Sequence, residues 1–523
     1  MDFKKTILAA AVMCGAASNA NAGGIITNTN QSVSFLRNPA REAAIGIDGV
    51  YSNPAGVMFM NEGFHIDLNW QCGWQTRTVE TTSPYLDHTL KAVNGLAEIP
   101  TKRYRGHASA PCIPSIQAAY NKDKWSYQFG FAVVGGGGSC EFTKGIGTFE
   151  NAIGQIATRL APLGVKGYGV DNFMEGKQFY FGITLGAAYK VTDNLSVYGG
   201  LRGMIASANY KAQIKDIAVA TSEGLQTLGD FLDSKNAYLA NVVAQTQPYY
   251  EKYGSQYDAL KAAVASGQAP AEYEALVAAI EGYQTAVGAQ ASLKQLEGYR
   301  NGLDLESDQS GFGISPIIGI DYKVGAFNFA AKYEFRTAMS LKNASNLKAA
   351  TLAATGQFVD GTSVREDVPA FLALGAQYSP IEIVRLNAGY HHYYDRKANK
   401  TYFYADEAGK AVRSDSKNDL LKHGSNEYLG GVEVDLTNRL TISSGFQITR
   451  YGNTEAYVSD ISYVVDSWSF GFGASYQANP NVKLEAAYFK TTYDHYRTAT
   501  SDYTRTVDVI GVGCEISFRM ILT

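Results

Sequence analysis

The chain has 523 residues, a net charge of −4 and 18% charged residues, against roughly 25% in an ordinary soluble protein. The weakly acidic balance leaves no basic footprint for nucleic acid. After the N-terminus no stretch reaches the ~18 apolar residues of a spanning helix, which excludes a helical membrane protein. With 53 Gly, 35 Tyr and 24 Phe, the composition points instead to strands whose apolar residues alternate with others.

Met1 to Ala22 reads as a secretory signal. Lys4 and Lys5 supply the positive start, Ile7 to Ala17 is an apolar core too short to span a bilayer, and Ala20-Asn21-Ala22 offers small residues for cleavage before Gly23. Cys14 follows the bulky Met13, which argues against a lipoprotein. Of the remaining cysteines, Cys72, Cys112, Cys140 and Cys514, no two have the close spacing of a metal or redox site. In an exported chain a Cys72–Cys112 or Cys112–Cys140 bridge and free, packed thiols are both open. No cofactor is implied. Residues 23–63 lack strand alternation and contain two turn-forming steps, Asn38-Pro39-Ala40 and Asn53-Pro54-Ala55. Each proline restricts the residue before it and withholds an N–H.

From Phe64 onward period-two alternation dominates. Phe64, Ile66, Leu68, Trp70, Cys72 and Trp74 share one face, and His65, Asp67, Asn69 and Gln71 the other. The same test predicts fourteen strands, near 64–74, 113–120, 124–135, 178–191, 195–210, 310–324, 326–337, 369–379, 382–394, 426–436, 439–451, 465–478, 482–494 and 506–520. Every second connection is a tight turn, such as Thr192-Asp193-Asn194 or Thr437-Asn438; the others are long, up to 211–309. Short turns on one side, long loops on the other and an even strand number predict an all-β fold, a fourteen-stranded antiparallel transmembrane barrel over 64–523. In lipid a sheet must close, because no edge can go unpaired. Trp70, Trp74, Trp125 and Trp468 fall on the apolar register, as interfacial girdles require. A barrel this wide is not filled by its own wall, so 23–63 is predicted to fold inside it as a hatch. Within 211–309, Leu276, Ile280, Tyr283 and Val287 recur at helical spacing after Pro270, either as a cap packed on neighbouring loops or as a greasy collecting surface.

The run from Arg37-Asn38-Pro39-Ala40-Arg41-Glu42-Ala43-Ala44-Ile45 to Asp48-Gly49-Val50-Tyr51-Ser52-Asn53-Pro54-Ala55-Gly56 resembles the hatch of the FadL/TodX family of outer-membrane transporters of long-chain fatty acids and other hydrophobic compounds. The chain departs from many outer-membrane barrels in ending Met520-Ile521-Leu522-Thr523, not on an aromatic residue. The resemblance implies passive, non-enzymatic uptake: capture at the extracellular loops, passage to a pocket above the hatch, and sideways exit through a kink in the third strand. Here that strand ends in Gly135-Gly136-Gly137-Gly138, which suits a bulge or bend and equally a flexible start to the following loop. Asn53, Pro54, Ala55, Asn38 and Pro39 are the expected gating residues, with Asn53 able to bond a backbone edge exposed by the kink. A carboxylate-bearing ligand needs a cation; Arg202, Lys332, Arg336 and Arg385 face the lumen as candidates, the ordinary role for each being a wall ion-pair member. The expected partners are a hydrophobic, fatty-acid-like small molecule and the lipid and lipopolysaccharide of the bacterial outer membrane, and a monomer is expected.

An adhesin or receptor acting through the large loops is the alternative. An enzyme would need a partnered histidine, and His391 and His392 in the tyrosine-rich run Tyr390 to Tyr394 have no Ser or carboxylate at recognisable spacing. A polar-solute porin would lack a hatch, and a TonB-dependent transporter needs a longer plug and more strands.

Overall fold

The computed structural model describes residues 26–27, 31–267, 269–347, 358–405, 411–416, 420–460 and 463–518. The predicted signal segment 1–22, Cys14, the first hatch residues 23–25 and the terminal Met520 to Thr523 lie outside them.

Alternation places apolar residues on one face of each strand, and the strands close on themselves. In chain order they are β1 (Gly63–Thr82), β2 (Thr101–Lys122), β3 (Trp125–Phe142), β4 (Gly167–Lys190), β5 (Leu195–Thr221), β6 (Leu303–Val324), β7 (Phe327–Glu334), β8 (Phe371–Ile381), β9 (Val384–Tyr393), β10 (Asn426–Asp435), β11 (Leu440–Arg450), β12 (Ser467–Asn479), β13 (Val482–Tyr493) and β14 (Ser501–Phe518). Each pairs antiparallel with its neighbours, and β14 pairs with both β13 and β1. The sheet holds 18 strands; four short ones (Gly224–Thr227, Ser340–Leu347, Ser363–Arg365 and Tyr496–Arg497) extend the loops, leaving fourteen in the ring. Every predicted strand is present. Their outward residues form an apolar belt, Leu185, Leu201, Phe312 and Ile314 each being more than half exposed. Inward lie buried polar groups such as His65, Asp67, Asn69 and Gln71. A closed sheet with that polarity is a membrane-spanning barrel.

All four tryptophans point outward. Trp125 and Trp468 stand at strand starts, whereas Trp70 and Trp74 sit mid-strand because β1 runs on to Thr82. The wall is uneven: β4 and β5 span 24 and 27 residues, β7 only 8. Above the tall side, α1 (Gly147–Arg159) packs Phe149, Ile153 and Ile156 into a cluster with Tyr168, Ile214, Phe231 and Leu293. The predicted loop 211–309 begins as the upper part of β5. It continues as α2 (Leu228–Tyr253), α3 (Tyr257–Ala265) and α4 (Ala271–Leu296). Along the predicted stripe Ile280 is fully buried and Tyr283 stacks on Tyr250 at 4.4 Å, but Val287 is 40% exposed. Leu276 packs beside Ile280, so three of the four stripe residues pack as a cap.

Glu150 ties α1 to the wall. Burial alone would raise its pKa, but His88, Lys102 and Tyr104 bond its carboxylate and lower it from the ordinary 4.5 to about 2. A depressed carboxylate stabilises above its unfolded pKa and loses that contribution as pH falls through the folded one. Intrinsic-rate-corrected hydrogen exchange over 147–159 should be slow near pH ~5 and faster near pH ~2.5. Glu150→Gln should exchange fast at both.

Candidate functional site

The hatch folds inside the lumen as a short helix and two turns, and its polar groups are answered by the wall. Ser32 caps the helix Val33–Arg37, accepting from Phe35 N at 3.1 Å. The helix stops at Asn38 because Pro39 follows. Arg37 donates to Glu433 at 2.7 Å, to Ser443 at 2.7 Å and to Glu485 at 3.3 Å. Burial opposes the Arg37 charge, but Glu485 and Glu433 outweigh it and hold its pKa above the usual guanidinium value. Arg41 meets Asp48 through two bonds and Glu433 at 3.1 Å. His391 bridges Glu42 of the hatch at 2.6 Å and Glu427 of the wall at 2.8 Å. Apolar contacts supplement this network, with Val33, Phe35 and Leu36 packed on Phe489 and Leu429.

The wall is thinned where the hatch touches it. A Cβ on Gly471 would stand 2.0 Å from Leu36 O, a backbone atom that cannot move aside. Gly471→Val should therefore unseat the hatch while leaving the barrel ladder in place. Planar-bilayer recordings should show larger, more frequent openings than the native protein.

Each expected gating residue is buried or nearly so. Asn53 donates to Asp321 of β6 at 2.6 Å and to Ala44 O at 3.3 Å, and accepts from Gly56 N at 3.1 Å. Its partner is thus a wall carboxylate, not the backbone edge of a kinked strand. Pro54 O accepts from Gln128 and Ala55 O from Ser196. Asn38 accepts from Ala40 N and abuts Gly431, while Pro39 lies against Gly445.

The four candidate cations all meet carboxylates, three of them on the wall. Arg202 pairs with Glu334 at 2.5 Å, and Lys332 with Glu334 at 2.9 Å and with Tyr51 O. Arg385 grips Asp435 through two bonds of 2.7 Å. Arg336, more exposed, lies 3.5 Å from Asp367. A small cavity between the hatch and the wall is lined by Glu42, Tyr51, Lys332, Phe371, His391 and Tyr393. Among the described residues no cluster of His, Cys, Asp and Glu could hold a metal ion.

The ladder between β2 and β3 is interrupted. It runs from His107↔Glu141 to Ser109↔Ser139 and resumes only at Ser115↔Ala132. On β3 the break contains Gly135 to Gly138, where pairing with β4 also slips twice. Gly136 has φ +108° and Gly138 φ +70°, conformations that favour glycine. Facing them on β2 stand Pro111-Cys112-Ile113-Pro114; a proline has no N–H to give a ladder. These prolines were the sequence signal for the second lip of the break, one that the glycines alone did not disclose. Cys72 donates to Pro111 O at 2.9 Å, and Cys72, Cys112, Cys140 and Cys514 are all free thiols. Behind the break lies an apolar lumen cluster including Val134, Tyr180, Met204, Leu341 and Phe371.

The architecture matches solved structures closely enough to compare. The crystal structure of a Pseudomonas aeruginosa FadL homologue aligns over 95% of this chain and 100% of its own, with a TM-score of 0.60 at 12% identity. The chain has the FadL/TodX fold. The Pseudomonas putida toluene transporter TodX aligns over 95% and 100% with a TM-score of 0.55 at 14% identity. The Ralstonia pickettii toluene transporter TbuX gives 95%, 100%, 0.50 and 14%. No family model and no curated protein matches the sequence. The FadL/TodX fold is thus carried by strand order, lumen plug and turn lengths at very low identity.

Proposed function

We propose that this protein is an outer-membrane channel for passive uptake of hydrophobic compounds, long-chain fatty acids among them. The ligand is captured at the extracellular loops, enters the lumen above the hatch and leaves sideways between β2 and β3. The observation that carries this reading is the interrupted β2–β3 ladder, because a wall in lipid with an unpaired stretch has a reason other than stability. The apolar cluster behind it, Val134, Tyr180 and Phe371 included, gives an apolar solute a surface that water does not contest. The solved relatives described as toluene transporters support the hydrophobic class. Residues 23–63 act as the hatch, with Asn53 and its partner Asp321 as one fastening, and residues 1–22 are the export signal.

The test is mass spectrometry of small molecules extracted from the purified protein, beside an unrelated barrel prepared identically. A stoichiometric hydrophobic compound absent from the control is the expected result. An empty lumen that also fails to take up added long-chain fatty acid would overturn the reading.

A further inference from the structure

Among the described residues, the stretch of β2 from Ala110 to Pro114 has no partner on β3, and its ladder to β1 slips as well. Gln71 pairs with Ile113 and Gly73 with Ala110, so Cys72 stands alone opposite both Pro111 and Cys112. Two residues against one is a β-bulge. It turns Pro111 and Cys112 together onto the exposed outer face, on the register that Cys72 shares with the outward Trp70 and Trp74. The Cys72 thiol already reaches across the ladder, donating at 2.9 Å to Pro111 O, the carbonyl of the peptide bond leading into Cys112. Cα atoms facing each other across an antiparallel ladder lie ~4.5–5.5 Å apart, within the ~4.4–6.8 Å that a disulfide spans.

The other pairings are closed off. Cys140 is buried on the inward face, the opposite side of the sheet from Cys112. Cys514 pairs with Leu68, four residues along β1 from Cys72 and so about 13 Å away at ~3.3 Å per residue. We propose that Cys72 and Cys112, thiols in this structure, are joined by a disulfide in the exported protein, and that the bridge clamps the β2 lip of the break to β1. Exported chains meet an oxidising compartment, and the oxidant is a periplasmic disulfide oxidoreductase acting before the strands enter the membrane. The thiolate of one cysteine attacks the oxidant's disulfide and releases one of its sulfurs; the other thiolate then displaces the second. One S–S bond forms in the chain as one breaks in the oxidant, which takes up two electrons and the two thiol protons. The consequence is directional: with β2 fixed to β1, the wall parts only toward β3. The bridge rests on the reading of the chain as an exported outer-membrane channel with a sideways exit.

Peptide mapping tests the bond. The protein is purified from outer membranes without reductant, its free thiols are blocked with N-ethylmaleimide during unfolding, and it is digested with trypsin. Cys72 falls in the peptide 42–77 and Cys112 in 106–122, each the only cysteine there. The expected result is these two peptides linked, with Cys140 and Cys514 alkylated. Alkylation of all four, or linkage of Cys72 or Cys112 to another cysteine, would overturn the bridge and leave the uptake reading standing. A chain missing from the outer-membrane fraction would overturn that reading itself. Hydrogen exchange tests the clamp: amides of 70–76 and 106–113 should exchange roughly tenfold faster or more once the bridge is reduced. The double variant Cys72→Ser with Cys112→Ser should match the reduced protein. Equal exchange in the bridged and reduced forms would overturn the clamp, and if the double variant forms no barrel the reduced native protein decides.

Discussion

Replacing Gly136 and Gly137 together with valine reduces uptake of a hydrophobic solute by roughly tenfold or more, the equivalent of about 1.4 kcal/mol on the passage barrier, while the barrel still assembles. Gly136 holds φ +108°, and a Cβ there would stand 2.3 Å from Gln178 O on β4. A valine cannot occupy that backbone conformation without strain of about 1–3 kcal/mol, and its own preference is for extended strand. The bulges therefore flatten and β3 is pushed toward a regular ladder with β2. Uptake of a labelled long-chain fatty acid into cells, normalised to folded barrel at the surface, is the measurement. Unchanged uptake would remove the kink from the pathway.

The second large effect concerns the hatch. Arg37→Ala strips the cation from between Glu433 and Glu485, which stay buried beneath the hatch and facing each other's charge. Removing one member of a buried ion cluster costs about 3–5 kcal/mol, here at the lower end because Glu433 keeps Arg41 and Arg385 and Glu485 keeps Lys483. That is enough to raise the population of the unlatched hatch by roughly two orders of magnitude. Hydrogen exchange across 31–62 should accelerate correspondingly, with the barrel strands still protected. A double change, Arg37→Met with Glu433→Gln, should recover much of the protection, since it leaves fewer charges unpaired. Unaltered exchange in Arg37→Ala would mean that the apolar packing of Val33, Phe35 and Leu36 on Phe489 alone holds the hatch.

The barrel was legible because a closed sheet in lipid imposes period-two alternation with no relief: His65, Asp67 and Asn69 face in and Phe64, Ile66 and Leu68 face out on one unbroken strand. Strand ends above the membrane were less legible. There β4 and β5 continue to Gly167 and Thr221, where the outer face meets water and loops and alternation loses its meaning. The hatch was visible through its paired Asn-Pro-Ala steps, but its fastenings were not, since Arg37 to Glu433 or Asn53 to Asp321 are contacts across hundreds of residues. The glycines of β3 pointed to a bend; Pro111 passes for a loop and Pro114 for a strand start until the register shows both inside one strand.

The most direct test of sideways exit is a cross-link at the lip of the break. Ala110 Cβ lies 3.9 Å from a Cβ built on Gly138, close to the ~3.8 Å of natural disulfides. In a background where Cys72, Cys112, Cys140 and Cys514 are replaced by alanine, the pair Ala110→Cys and Gly138→Cys would join β2 to β3 and hold the lip at ladder distance. Fatty-acid uptake should fall by about tenfold or more when this bridge forms and return when it is reduced. Equal uptake in the bridged and reduced forms would contradict exit between β2 and β3.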